Sequence, residues 1–98
     1  MTRKIDRSYK EGLLKRLQDP SFAAEYLTAS AEDPEPTVYL SALRNVAEAL
    51  GMAEVAKAAG IPRESLYRAL SAKGNPRWST LSAVLRATGL KLTVSRAS

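Results

Sequence analysis

Neither cysteine nor histidine occurs among the 98 residues of this chain. The first absence excludes disulfides, and the two together remove the commonest metal ligands and deprive any nucleophile of an imidazole base. Most hydrolytic chemistry goes with them, so no catalytic residue, cofactor site or metal site is expected and the chain reads as something other than an enzyme. Aromatic bulk is scarce too: Phe22, Trp78 and four tyrosines are all there is. The core must then be built from Leu, Val and Ala, the composition of packed helices. Charges at Arg3, Lys4, Asp6 and Arg7 have no apolar stretch behind them, which argues against a signal peptide or membrane span and for a cytoplasmic location.

What is present suits one domain spanning residues 1–98, with 45% apolar residues. The net charge is +5, which makes a polyanion a plausible partner. Its distribution is uneven: residues 1–19 carry six basic and three acidic groups, residues 20–37 none and four, residues 38–98 nine and three. An acidic block therefore stands between two basic ones.

Periodicity supplies the elements. Ser8 and Glu11 have the capping-box spacing ahead of Leu13, Leu14 and Leu17, a short first helix that Gly12 weakens. Asp19 and Pro20 open a second helix carrying Phe22, Ala23, Tyr26 and Leu27 to about Ser30. Glu32-Asp33-Pro34-Glu35-Pro36 bars a helix and reads as a linker or hinge. A third helix follows from Tyr39 through Leu40, Leu43, Val46 and Ala47 to Leu50, closed by Gly51. Met52 to Ala59 and Pro62 to Leu70 are two further short helices, joined at Gly60. Lys73-Gly74-Asn75-Pro76 requires a loop, after which Ser79 or Thr80 can cap a sixth helix bearing Leu81, Val84 and Leu85 and ending at Gly89. Leu90, Leu92 and Val94 then alternate with Lys91, Thr93 and Ser95, the period of a strand. A lone strand must fray, pack as an arm or pair with its counterpart on a second chain, and pairing across a dimer is the expected arrangement.

The informative stretch is Met52 to Leu70. A helix-turn-helix needs a small residue where its helices cross, a glycine able to take positive φ four positions later, and an apolar anchor six positions after that. Ala56, Gly60 and Leu66 meet those spacings, although any two amphipathic helices joined by a glycine share them. With Leu66, Ala69 and Leu70 facing inward, Arg63, Glu64, Tyr67, Arg68 and Ser71 remain on the outer face. Arginine can donate two hydrogen bonds to a guanine edge in the major groove. Glu64 has two readings, since it stands four residues before Arg68 and could equally form an ion pair within the helix. Lys73, Asn75 and Arg77 are placed to meet phosphates, or to form a solvated basic loop. Trp78 is expected to anchor the loop or the core, and the tyrosines other than Tyr67 to face mostly inward.

The runs Ala42 to Gly51, Ala59 to Leu70 and Lys73 to Leu81 resemble the addiction-module antidote family, HigA-type antitoxins with a helix-turn-helix similar to that of lambda-type phage repressors. Glu25-Tyr26-Leu27 and Gly89-Leu90-Lys91-Leu92 join the resemblance, so it spans nearly the whole chain. It implies an all-α, lambda-repressor-like helix-turn-helix bundle of about five to six helices with a short C-terminal β-strand. Residues 1–35 would form a helical extension, 36–90 the DNA-binding core and 91–98 a strand or tail. The resemblance further implies a homodimeric autorepressor on double-stranded operator DNA that neutralises a co-encoded RelE/HigB-like ribonuclease toxin. Pro62 departs from the family pattern, which carries a serine able to cap the reading helix. Phe22 to Glu35 is a candidate toxin contact, or simply a solvated acidic face.

Three other functions compete. A stand-alone phage-type regulator would lack a neighbouring toxin gene. A ribonuclease toxin would need a sheet, whereas the chain offers one credible strand. A pure interaction module would show no salt-dependent DNA binding.

Overall fold

A computed structural model describes residues 7–97. Six helices follow one another among them: α1 (Arg7–Arg16), α2 (Pro20–Ser30), α3 (Pro36–Leu50), α4 (Met52–Ala59), α5 (Arg63–Ala69) and α6 (Trp78–Ala87). None of the described helices is long and apolar enough to cross a membrane.

Local chemistry accounts for most of the boundaries. Asp19 has extended backbone and its carboxylate accepts the Ser21 amide at 3.0 Å, so with Pro20 behind it the start of α2 is capped, a contribution of about 1 kcal/mol. The Asp33 carboxylate accepts the Glu35 amide at 2.9 Å and shapes the acidic turn between α2 and α3. Pro36 falls at the head of α3, so only Pro34 belongs to the connection. Ser8 lies inside α1 rather than ahead of it, and the expected cap is not at that residue. Arg3, Lys4 and Asp6 lie outside the described residues.

α3 and α4 are the spine. α1 and α2 pack on α3, α5 and α6 pack on α4, and Gly51 alone joins the two spine helices. One apolar cluster runs through both halves, with Leu17, Leu43, Val46, Leu66, Leu70 and Val84 as its most enclosed large side chains. Each such burial stabilises by about 1.5–3 kcal/mol. α1 itself buries no residue fully; it is held by Leu13 against the cluster and by Lys10 Nζ at 3.2 Å from Glu48 of α3. Tyr26 and Tyr39 pack on the core, whereas Tyr9 is largely exposed, against the inward placement expected of it.

The expected C-terminal strand is not formed. After Gly89, residues 90–97 form neither helix nor strand, and the last backbone hydrogen bond among the described residues is from the Leu90 amide to the Leu85 carbonyl at 3.2 Å. The alternation of Leu90, Leu92 and Val94 supplies a strand's side-chain pattern, but among the described residues no second strand stands beside it to complete a ladder.

Candidate nucleic-acid interface

The bend between α4 and α5 is made by backbone bonds that only one conformation at Gly60 permits. Gly60 is left-handed, with φ 75°; its amide donates to the Lys57 carbonyl at 3.1 Å, and the Ile61 amide donates to the Ala56 carbonyl at 3.0 Å. This pair of bonds closes a helix and reverses the chain. A Cβ at Gly60 would meet nothing within 4 Å. Gly60→Ala is therefore expected to cost about 1–2 kcal/mol from backbone conformation alone, a loss that thermal unfolding would register. Ala56 and Leu66 are both buried, one at the crossing and the other beneath α5.

α5 begins at Arg63, with Pro62 as its cap rather than its first residue. Pro62 offers no side-chain acceptor, and its carbonyl receives the first bond of the helix, from the Leu66 amide at 3.1 Å. Seven residues are too few for a helix to persist in water unsupported. Packing through Leu66 and Leu70 is what holds α5 in place.

On the opposite face Arg63, Glu64, Tyr67 and Arg68 are all exposed. The Arg63 guanidinium lies over the Tyr67 ring, 5.7 Å from its centre, a cation–π contact that narrows the arginine's range without withdrawing its donors. Glu64 and Arg68 form no ion pair among the described residues. Both guanidinium groups thus keep their hydrogen-bonding edges available. Ser71 is the exception in this set: it is half-buried and its hydroxyl donates to the Arg68 carbonyl at 2.8 Å, finishing the helix end.

The loop beyond is fixed against α5. The Gly74 amide donates to the Ser71 carbonyl at 2.8 Å, and a Cβ at Gly74 would fall 2.3 Å from the Ala69 carbonyl oxygen. Space, not backbone angle, requires glycine there. Gly74→Ala should displace the loop and lower the unfolding midpoint more than Gly60→Ala does. Lys73, Asn75 and Arg77 stand exposed along this loop.

Trp78 contradicts its expected role as an anchor, for it is 61% exposed. A single aromatic beside the Asn75-Pro76 turn would ordinarily pack against the helix that follows, and Trp78 shares helical phase with Leu81 and Leu85. Burial fades along α6 toward its start, however, from Leu85 (buried) to Leu81 (half-buried) to Trp78 (open). α6 starts there, earlier than Ser79 or Thr80, and carries no side-chain cap. A large exposed aromatic directly after Arg77 belongs with the basic loop, and its place at the very end of a helix was the available signal.

Two surface grooves run between α1, α2 and α3, with Tyr9, Leu13, Ser41 and Asn45 along them. The α5 face is a short helix offering arginines at its surface, with a basic loop at its end.

Comparison with known proteins adds a separate line. The family model described as "Probable addiction module antidote protein" matches residues 10–96. An uncharacterized protein of Haemophilus influenzae is 39% identical over 71 residues, covering 72% of this chain and 73% of its own length. No solved structure matches the chain.

Proposed function

Because the chain belongs to the family of probable addiction module antidote proteins, we propose that it is the HigA-type antitoxin of a type II toxin-antitoxin module. In this reading it neutralises a co-encoded RelE/HigB-like ribonuclease and, as a homodimer in the cytoplasm, represses its own operon through a lambda-repressor-like helix-turn-helix. The observation that supports the DNA-binding half is the Gly60 bend, which sets α5 with Leu66 inward and Arg63, Tyr67 and Arg68 outward.

The roles divide by chemistry. Arg63 and Arg68 read base edges in the major groove, where each bidentate pair with guanine discriminates by about 1–3 kcal/mol. Tyr67 steadies Arg63 and offers its own hydroxyl. Glu64, with no cationic partner among the described residues, can accept from a cytosine amine or exclude bases that present only acceptors. Lys73, Asn75 and Arg77 meet phosphates, as does the backbone near Ser71, and these contacts position the duplex without reading it.

Two measurements test the assignment. Lys73→Ala should weaken binding to operator and to scrambled duplex alike and make the salt slope shallower by about 1. Trp78 is the single tryptophan, so its fluorescence reports on one place. Its emission should change on titration with the DNA that precedes the chain's own reading frame, and the change should reverse with added salt. An unaltered emission at saturating DNA would remove the loop from the interface.

For the toxin, charge supports the α2 side. Glu25, Glu32, Asp33 and Glu35 are all exposed, and they sit on and after the helix that packs on α3, whereas α5 packs on α4. A basic ribonuclease could then be held without covering the reading helix. Co-expression with the product of the adjacent reading frame should yield a complex, and Glu32→Lys with Asp33→Lys should weaken it while leaving DNA binding in place.

A further inference from the structure

Between α1, α2 and α3 lie two adjoining hollows of about 530 and 480 Å³, and Tyr9, Leu13, Ser41 and Asn45 line both. They form one open groove. Apolar surface gathers along it: Tyr9 is 61% exposed and Val38 37%, with Leu13 and Tyr26 half-buried between α1 and α3. Large apolar side chains collected in one groove, rather than scattered singly, mark a surface that another molecule covers.

The groove is held in shape from within. The Asn45 side-chain amide of α3 donates to the Tyr26 hydroxyl of α2 at 2.9 Å, and Lys10 Nζ of α1 stands 3.2 Å from Glu48 of α3. Walls fixed in advance lower the ordering cost of binding. The two ends differ in charge. Ser30 and Thr37 line one end, and the chain between them is the acidic turn, with Glu32, Asp33 and Glu35 exposed and no basic residue from position 20 to 37. Arg7, Lys10 and Arg44 line the other end beside Glu11; Glu48 is shared between Lys10 and Arg44 at 3.2 and 4.0 Å, and Arg7 has no acidic partner among the described residues. The acidic end repels a polyanion, so the groove does not suit a nucleic acid; it suits a protein segment whose basic end meets that turn.

We infer that this groove takes an amphipathic segment of the basic co-encoded toxin, with apolar side chains seated against Tyr9, Leu13, Tyr26 and Val38 and a basic end against the acidic turn. This contact presupposes the antidote reading proposed above and gives it a surface. The division of labour is physical. Exposed charges at Glu32, Asp33 and Glu35 attract and orient the toxin, and salt screens that attraction. Burial of apolar side chains in the groove does not depend on such charges, and apolar or aromatic anchors seated in a pocket carry most of an interface's binding energy. Docking an amphipathic segment into an apolar groove is an established mode of recognition between proteins.

The test titrates the full chain with the purified product of the adjacent reading frame by calorimetry, at low and at high salt. Ser41 is exposed and lines both hollows, so Ser41→Trp fills the groove without entering the buried cluster. It should weaken the complex by about tenfold or more at both salt concentrations, while Ser41→Ala binds as the parent does. Glu32→Lys with Asp33→Lys should instead weaken it at low salt and matter little at high salt. Thr37→Trp, at the exposed head of α3 and on the acidic-end hollow alone, repeats the block from a second position. Unchanged helical circular dichroism and unfolding midpoint show that each variant keeps its fold. If the parent binds the toxin and both tryptophan variants bind it as tightly, the groove is not the contact, and the antidote reading stands without it. If the parent binds no such toxin, reading and groove assignment fall together. Self-association of the chain alone that Ser41→Trp abolishes, with toxin affinity unchanged, would give the groove to a second copy and overturn the inference.

Discussion

Leu66→Ala is expected to lower the free energy of unfolding by about 2–5 kcal/mol and to abolish sequence-specific DNA binding. Leu66 is wholly enclosed, so removing its branched end opens a cavity that the surrounding helices can only partly close. The consequence is larger for α5 than for the rest of the chain. Seven residues cannot sustain a helix by hydrogen bonds alone, and the remaining enclosed anchor, Leu70, stands just past its end. Leu66→Met keeps most of the volume and should cost less than about 1.5 kcal/mol, with binding preserved. Urea unfolding and a gel-shift titration on the three proteins would check this. A Leu66→Ala protein as stable as the parent would mean that α5 is held by something other than its apolar face.

Much of the helical plan was legible because the sequence marks its own ends. Gly51, Gly60 and Gly89 terminate or join helices, and all three adopt positive φ. Met52 to Ala59 therefore has the bounds read from its residues. Asp19 and Pro20 mark α2 just as directly. Legibility fails where local pattern and three-dimensional surroundings part. Ser8 and Glu11 match a capping pattern, yet helix already includes Ser8. Trp78 has an inward phase, yet the core does not extend beneath the first turn of α6. Ser71 looked like one more outward polar residue, and it is occupied with the end of its own helix. The alternation after Gly89 announces a strand, but periodicity speaks only of side chains, and a strand also needs neighbouring backbone. For the candidate interface, the outward set Arg63, Glu64, Tyr67 and Arg68 followed from placing Leu66 and Leu70 inward, a consequence of helical period. The contact between Arg63 and Tyr67 and the tight seat of Gly74 are matters of distance, which spacing does not give.

The other large effect is expected at the surface. Arg63 and Arg68 lie on the exposed side of α5 and contribute nothing to the buried cluster, so replacing them leaves the fold intact, with changes in stability within about 0.5 kcal/mol. Their loss should fall on discrimination. At about 1–3 kcal/mol for each arginine–guanine pair, Arg63→Ala with Arg68→Ala would remove most of the preference for operator over unrelated duplex. Attraction to phosphate through Lys73 and Arg77 would persist. Tyr67→Phe should have a smaller effect, because its ring still supports Arg63.

The most direct measurement is a competition gel shift in which the parent and the double arginine variant are titrated against operator and scrambled duplex at fixed salt. The parent should prefer operator, and the variant should bind both duplexes with similar, salt-sensitive affinity. An operator preference that survives loss of both arginines would show that α5 is not the element that reads the DNA.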